Sequence, residues 1–325
     1  MITRRDTLAL APGLGAASLL DSQILDPSAL TNNRRVGFPM PADACDCHTH
    51  VFLDPAEHPF WSGRLYTPPV ATTEQLMALH EALGITRTVV VAPSVYGSDM
   101  RPTLEAMRVM GSRKARGVSV YSPHTTAAEL DSLHDAGMRG MRVNVETAGQ
   151  VHASEVHEML ATAEAQAASK GWHIQIYARL SVLAEVEETL LGLRVPLVFD
   201  HFAGARGSLG PDQAGLAMVL GLVGEGRAYV KLSAPYRLST QAPDYGDLTW
   251  LAQAFIAANP ERMLWGSDWP HPGASPRPDY KPDEILQGFA IDDAGVLSRL
   301  ADWAPDADTR KRILSDNPAR LYGFG

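Results

Sequence analysis

Asp43-Ala44-Cys45-Asp46-Cys47-His48-Thr49-His50-Val51-Phe52 is the stretch on which the reading of this chain turns. Successive side chains of an extended strand alternate between two faces, so His48 and His50 share one face and Thr49 points to the other. Two imidazoles therefore converge on one spot. The run breaks into a loop at Asp54-Pro55, and a strand that finishes in His-x-His before such a break has the character of the first strand of a parallel α/β barrel. The C-terminal end of that strand opens into a functional mouth. A lone histidine at a strand end is most simply a polar residue bonded to backbone, whereas a spaced pair on one face is a motif with a chemical use.

Counting outward from this strand supports the barrel. Further strands are expected over Thr86–Pro93, Arg116–Ser122, Met138–Asn144, His173–Ala178, Leu197–Phe202, Tyr229–Ala234 and Met263–Asp268, which makes eight. Helical patterns are expected between them at Thr72–Leu83, Thr126–Ala136, Ser154–Lys170, Val182–Leu191, Pro211–Val223 and Leu248–Ala258. The Met-rich stretch from Met100 to Met110 is read as the core face of the second helix. Thr72-x-x-Gln75 and Thr126-x-x-Glu129 are capping boxes, and Gly84, Gly137 and Gly171 stand just past helix ends. Eight alternating units predict an α/β fold, a (β/α)8 TIM barrel over residues 41–325. An open doubly wound sheet is the alternative, but it needs a Gly-rich phosphate turn where His48-Thr49-His50 stands.

The 325 residues would allow two domains by length, yet a barrel takes about 250 residues and has room for insertions. With 28 Lys plus Arg against 37 Asp plus Glu, the formal charge of −9 disfavours nucleic acid and anionic membranes as partners. A small anionic ligand stays compatible, because a local arginine cluster can oppose the global sign. A monomer and a small homo-oligomer are equally compatible. Cys45 and Cys47 are the only cysteines. Two apart on one strand, they make a poor disulfide and lack the second pair of a structural zinc site, so they are read as packing residues. Near the N-terminus, Thr3-Arg4-Arg5-Asp6-Thr7-Leu8 and the apolar run to Leu20 resemble a bacterial twin-arginine export signal. That run is too short to span a membrane. Residues 1–40 are therefore expected to be a leader to a periplasmic protein, with a plain extension on a cytoplasmic protein as the alternative.

In a barrel the polar residues at the C-terminal strand ends face one mouth. They are His48 and His50 on the first strand, Ser94 after the second, Arg142 and Asn144 on the fourth, and Tyr177 on the fifth. Asp200 and His201 end the sixth, Ser233 and Arg237 lie at and beyond the seventh, and Asp268 ends the eighth. Asp-Cys-His-Thr-His-Val-Phe, Val-Phe-Asp-His-Phe-Ala and Trp-Gly-Ser-Asp-Trp-Pro-His-Pro, with their spacing, resemble the amidohydrolase superfamily. The resemblance is to the branch of 2-pyrone-4,6-dicarboxylate lactonase, 4-sulfomuconolactone hydrolase and galactarolactone isomerase. It runs from about Asp43 to Gly323 and includes Asn317-Pro318-Ala319-Arg320-Leu321-Tyr322-Gly323. What it implies is a hydrolase with its catalytic carboxylate at Asp268, catalytic histidines at His48, His50 and His201, and substrate contacts at Tyr66, Ser94, Arg142, Tyr177 and Arg237. The implied substrate is a small anionic lactone, carboxylated or sulfonated, from aromatic or sugar-acid breakdown.

Two departures narrow that implication. Metal-dependent members carry a bridging lysine at the end of strand four and a histidine at the end of strand five, where this chain has Arg142 and Tyr177, and His173 begins its strand at the wrong end of the barrel. A binuclear centre is not expected. One zinc on His48, His50 and Asp268, with His201 nearby, stays open; a site without metal is the preferred reading. The dicarboxylate lactonase also places a further arginine shortly after strand four, and this chain reads Asn144-Val145-Glu146-Thr147-Ala148-Gly149 there. A substrate carboxylate would lack one bidentate partner.

Opening a lactone requires a deprotonated water, a polarised carbonyl and a protonated leaving oxygen. Asp268 is expected to move the proton, the histidines to donate hydrogen bonds or hold a metal where the oxyanion forms, and Arg142 and Arg237 to anchor an anion. Arg142 has a structural alternative as an ion-pair partner, Tyr236 is compatible with lid packing or substrate contact, and His271 is read as a shaper of the loop after strand eight. Isomerisation of a sugar-acid lactone and metal-dependent decarboxylation are the alternative activities. A non-catalytic binding protein is argued against by the intact His48, His50, His201 and Asp268 set.

Overall fold

A computed structural model describes residues 35–145, 153–273 and 279–325. Eight strands follow one another in chain order, each parallel to the next: β1 (Cys45–Thr49), β2 (Arg87–Val91), β3 (Ala115–Val120), β4 (Met138–Asn144), β5 (His173–Tyr177), β6 (Leu197–Phe199), β7 (Ala228–Ser233) and β8 (Met263–Gly266). The first and last strands meet. Asp268 N donates to His48 O at 2.9 Å, His50 N donates to Trp269 O at 2.8 Å, and Thr49 pairs with Trp269 in parallel. The result is the expected (β/α)8 barrel. The N-terminal leader falls mostly outside the described residues, which begin at residue 35.

Local signals start and stop the helices. Before α1 (Thr73–Leu83) the Thr72 hydroxyl accepts from Gln75 N while the Gln75 side chain accepts from Thr72 N, and Gly84 ends the helix at φ 73. After α2 (Arg101–Met110), which turns Met107 and Met110 into the core, Thr126 and Glu129 repeat the reciprocal cap before α3 (Ala127–Asp135). α4 (Ala153–Lys170) follows β4. The helix expected over 182–191 is instead two, α5 (Leu180–Glu185) and α6 (Glu187–Gly192), broken where Val186 leaves helical geometry at φ −112, ψ 22. The one expected from Pro211 begins later, as α7 (Leu216–Gly224), because Gly215 at φ 88 interrupts the helix and the Gln213 side chain ties the preceding loop to the Arg206 backbone. α8 (Thr249–Ala258) precedes β8. The chain closes with α9 (Asp293–Ser298), α10 (Leu300–Trp303), α11 (Ala307–Lys311) and α12 (Asn317–Tyr322), none of which the sequence reading separated. No helix among the described residues is long and apolar enough to cross a membrane.

One irregularity positions the first strand. The register of β1 against β2 shifts between Asp46 and Thr49, so two residues of β1 oppose one of β2, as in a β-bulge. Strict alternation would set Cys47 and His48 on opposite faces. With the bulge both turn inward: Cys47 packs with Cys45, Val198 and Leu264, and His48 reaches Asp200 and Lys231. The two cysteines are free and buried, as packing residues should be.

Below them the barrel has a floor. Tyr322 at the end of α12 and Phe324 pack into the inner cluster of Val89, Val91, Val118 and Tyr229. The guanidinium of Arg87 lies 5.2 Å from the Phe324 ring centre and that of Arg116 4.8 Å, two cations against one aromatic. This plug leaves the opposite end as the open mouth. Phe324→Ala removes a buried ring and its two cation contacts, for which a loss of about 3–5 kcal/mol is expected. Chemical denaturation of the two proteins measures it, and a loss under about 1 kcal/mol would show that the floor contributes little.

Candidate active site

The mouth is assembled from strand ends whose backbone is unusual. Asp268 (φ 62), His201 (φ 47), Ala234 (φ 48) and His271 (φ 58) all adopt left-handed conformations without being glycine. Such geometry is costly for residues with a Cβ and persists where surrounding structure imposes it. Here the barrel closure imposes it on Asp268, whose N–H must meet His48 O.

Asp268 is the centre. Its Oδ1 lies 3.5 Å from His48 Nε2, 3.5 Å from His50 Nε2 and 3.9 Å from His201 Nε2. Its Oδ2 accepts from Tyr236 Oη at 2.5 Å and Arg237 Nε at 3.0 Å, with Arg237 Nη2 also at 3.0 Å. Burial would raise the Asp268 carboxyl's pKa, but Arg237 foremost and then His201 outweigh it, and the group is held well below the usual carboxylate range. It is therefore ionised.

Two of the histidines are held toward the neutral form. Burial pushes His48 well below the usual imidazole range and His201 down to about 4. His50 Nδ1 is 2.7 Å from Val91 O, and since a carbonyl only accepts, that nitrogen carries the hydrogen. That fixes the ring and leaves Nε2 turned to Asp268 Oδ1. His201 Nδ1 meets Ser233 Oγ at 2.8 Å, and its Nε2 donates when the serine supplies the Nδ1 hydrogen.

Beneath this layer lies a second one that the sequence reading left without a role. Asp200 Oδ2 accepts from Arg142 Nε at 2.8 Å and Gln175 Nε2 at 3.1 Å. Its Oδ1 faces His48 Nδ1 at 3.1 Å and Lys231 Nζ at 3.6 Å. Lys231, fully buried, donates to Gln175 Oε1 at 2.7 Å and lies 3.3 Å from His48 Nδ1. Against the upward push of burial, His48, Arg142 and Lys231 hold the Asp200 carboxyl well below its usual range. Period-two counting along Tyr229-Val230-Lys231-Leu232-Ser233 puts Lys231 on the same inward face as Ser233, the signal that would have found it.

Above Asp268 is a cavity of about 460 Å3. His50, His201, Arg237 and Asp268 line it, and so do all the expected substrate contacts: Tyr66, Ser94, Arg142 and Tyr177. His48 is not among the lining residues and lies beneath the cavity. Both arginines are already engaged by carboxylates, Arg142 with Asp200 and Arg237 with Asp268, so the ion-pair alternative for Arg142 holds alongside its place in the cavity. Arg142 also lies 4.7 Å over the Tyr177 ring. The far wall is apolar: Leu65, Pro282 and Leu286. His271 stands outside the cavity lining, with Nε2 3.2 Å from Asp293 Oδ2 and its N–H bonded to Asp268 O at 2.7 Å, shaping the loop after β8.

His48, His50 and Asp268 offer ligand atoms within 4.8 Å of one another, and His48 Nε2 is buried without a hydrogen-bond partner among the described residues. Two imidazole nitrogens and a carboxylate oxygen are a donor set that fits one zinc ion. A second group, His48, Asp200 and His201, shares His48.

The family model described as Amidohydrolase matches residues 45–324. A 2-pyrone-4,6-dicarboxylate hydrolase from Comamonas testosteroni is 35% identical over 300 residues, covering 90% of this chain and 93% of that protein. A 4-sulfomuconolactone hydrolase from Rhizobium radiobacter is 32% identical over 292 residues, covering 89% and 92%. A solved structure of an Agrobacterium tumefaciens protein matches with a TM-score of 0.73 at 26% identity, over 88% of this chain and 97% of that one. A match that begins on β1 and ends beyond α12 takes in every strand that carries a site residue, and on that ground the chain belongs to the amidohydrolase family.

Proposed function

We propose that this enzyme opens the ring of a small anionic lactone, with Asp268 as the group that activates water. The observation that carries the reading is the pairing in one cavity of an ionised carboxylate, whose Oδ1 faces three imidazoles, with two guanidinium groups. Ester cleavage uses each of these parts. A water seated against Oδ1 passes a proton to Asp268 as its oxygen bonds to the carbonyl carbon. The ring C–O bond then breaks, and Asp268 returns the proton to the departing ring oxygen. Because Arg237 keeps Asp268 ionised, the base is ready without waiting for a proton to leave. His201, when it carries hydrogen on Nε2, can donate to the oxyanion; His50 stands with Nε2 beside Oδ1, where the water is seated. Arg142, stacked on Tyr177 and near Tyr66 and Ser94, offers the anion site.

If a zinc ion is held, His48, His50 and Asp268 hold it, and it would supply Lewis acidity and a more acidic water. The guanidinium of Arg237, 3.0 Å from Asp268 Oδ2, already neutralises the one carboxylate of that set and opposes a dication there. The expected result is that the rate survives exhaustive chelation and that the purified protein holds well under one equivalent of metal. A rate that collapses on chelation and returns with zinc would assign His48 and His50 as ligands.

Asp268→Asn removes the proton acceptor at nearly constant volume, and turnover of a carboxylated lactone should fall about 10² to 10⁴-fold with the fold kept. Product analysis belongs to the same assay: a ring-opened acid supports hydrolysis, and a relocated lactone would replace it with isomerisation. Activity within a few-fold of wild type would remove Asp268 from the mechanism.

Arg237→Met keeps length and removes charge. Because Arg237 holds Asp268 as well as facing the cavity, every lactone should lose rate. The loss in kcat/KM for an anionic lactone should exceed that for a neutral lactone of the same ring by about tenfold to a hundredfold, the value of a charged hydrogen bond. Equal losses would confine Arg237 to holding Asp268 and leave anion binding to Arg142.

A further inference from the structure

The two oxygens of Asp268 have different surroundings. Oδ1 is turned to the imidazoles and the cavity, while Oδ2 is turned away into Tyr236 and Arg237. Those two residues are consecutive in the short turn Pro235–Arg237 after β7, which Ala234 enters in a left-handed conformation. They differ in one respect. Arg237 lines the cavity, and Tyr236 is not among its lining residues.

Tyr236 therefore touches the carboxylate and not the space where substrate would sit. Its ring stands perpendicular to His271 at 5.7 Å and against Phe289 at 5.0 Å, with the Arg237 guanidinium 5.1 Å over it. Held on these sides, the phenol can deliver its hydrogen in one direction. Its contact with Oδ2, at 2.5 Å, is the short length of a charge-assisted O–H to carboxylate bond. Burial also pushes the phenol's ionisation well above its usual range, so the hydroxyl stays a donor.

We infer that Tyr236 is a positioning residue for the Asp268 base: its hydroxyl pins Oδ2 so that Oδ1 alone faces the attacking water. The inference rests on the reading of Asp268 as the base. A carboxylate has two equivalent oxygens and turns about its last side-chain bond, a broad torsion with little preference of its own. Arg237 alone leaves that turn open, because a guanidinium fork can follow either oxygen. The phenol, fixed by its ring, cannot follow. It thereby converts a symmetric carboxylate into one with an assigned working oxygen, which is the kind of orientation that affects the chemical step and leaves binding alone.

The test is steady-state kinetics on a carboxylated lactone with Tyr236→Phe, alone and combined with Asp268→Asn. The phenyl ring keeps the contacts to His271 and Phe289. The expected single-variant result is a kcat lowered about tenfold to a hundredfold with KM within about twofold. In the Asp268→Asn background the same change should cost nothing further. A Tyr236→Phe enzyme with unchanged kcat, or with KM rising in step, would overturn the inference, as would a full additional loss on top of Asp268→Asn. A near wild-type Asp268→Asn enzyme is a different failure: it overturns the reading of Asp268 as the base, and the role of Tyr236 falls with it.

Discussion

Two backbone hydrogen bonds carry this site: Asp268 N to His48 O, and His50 N to Trp269 O. They join the last strand to the first and so close the barrel. They also set the carboxylate of Asp268 against the imidazoles of His48 and His50. Closure and site assembly are the same event, because the residues that bond across the seam are the site residues or their direct neighbours. The cost is visible in the left-handed backbone of Asp268. Its N–H points across the seam while its side chain points into the mouth, and an ordinary strand conformation would not hold both directions at once.

Charge balance is the second constraint. The two carboxylates of the site, Asp200 and Asp268, are buried almost completely, and an isolated buried charge is not sustainable. Each is met by fixed cations, Asp200 by Arg142 and Lys231, Asp268 by Arg237. Because these counter-ions are guanidinium and ammonium groups, the carboxylates keep fixed partners whatever the imidazoles carry, and burial lowers the pKa of His48 and His201. Neutral imidazoles can serve as acceptors, donors or ligands, which imidazolium ions could not all do.

Much of this was legible in the sequence. The eight strands could be counted because strand-length runs such as Thr88-Val89-Val90-Val91 recur between helical patterns, two of which Thr72 and Thr126 announce with their caps. His48, His50, His201 and Asp268 could be grouped because strand ends in a barrel share one face. The remainder was hidden for physical reasons. The bulge in β1 depends on pairing with β2, so alternation alone could not show that Cys47 and His48 both turn inward. Lys231 sits mid-strand among apolar neighbours, and its partners Asp200 and Gln175 come from other strands. Tyr236 follows β7 in a turn whose direction is set by Ala234, and nothing local says that its hydroxyl ends on Asp268. The breaks at Val186 and Gly215 shortened helices that periodicity would have continued.

The floor of the barrel bears on how the chain reaches this state. Cys45 and Cys47, from the first strand, belong to the same inner cluster as Tyr322 and Phe324, from the end of the last helix. A nascent chain leaving the ribosome therefore carries β1 with its inner face uncovered until nearly everything else has been made. Loop closure over so long a separation is slow, and partly built barrels expose apolar strands in the meantime. The polar residues on β1, Asp46, His48, Thr49 and His50, then have a meaning apart from chemistry. They interrupt what would otherwise be a continuous apolar strand, and so lower its tendency to pair with the wrong partner while its own is still being synthesised.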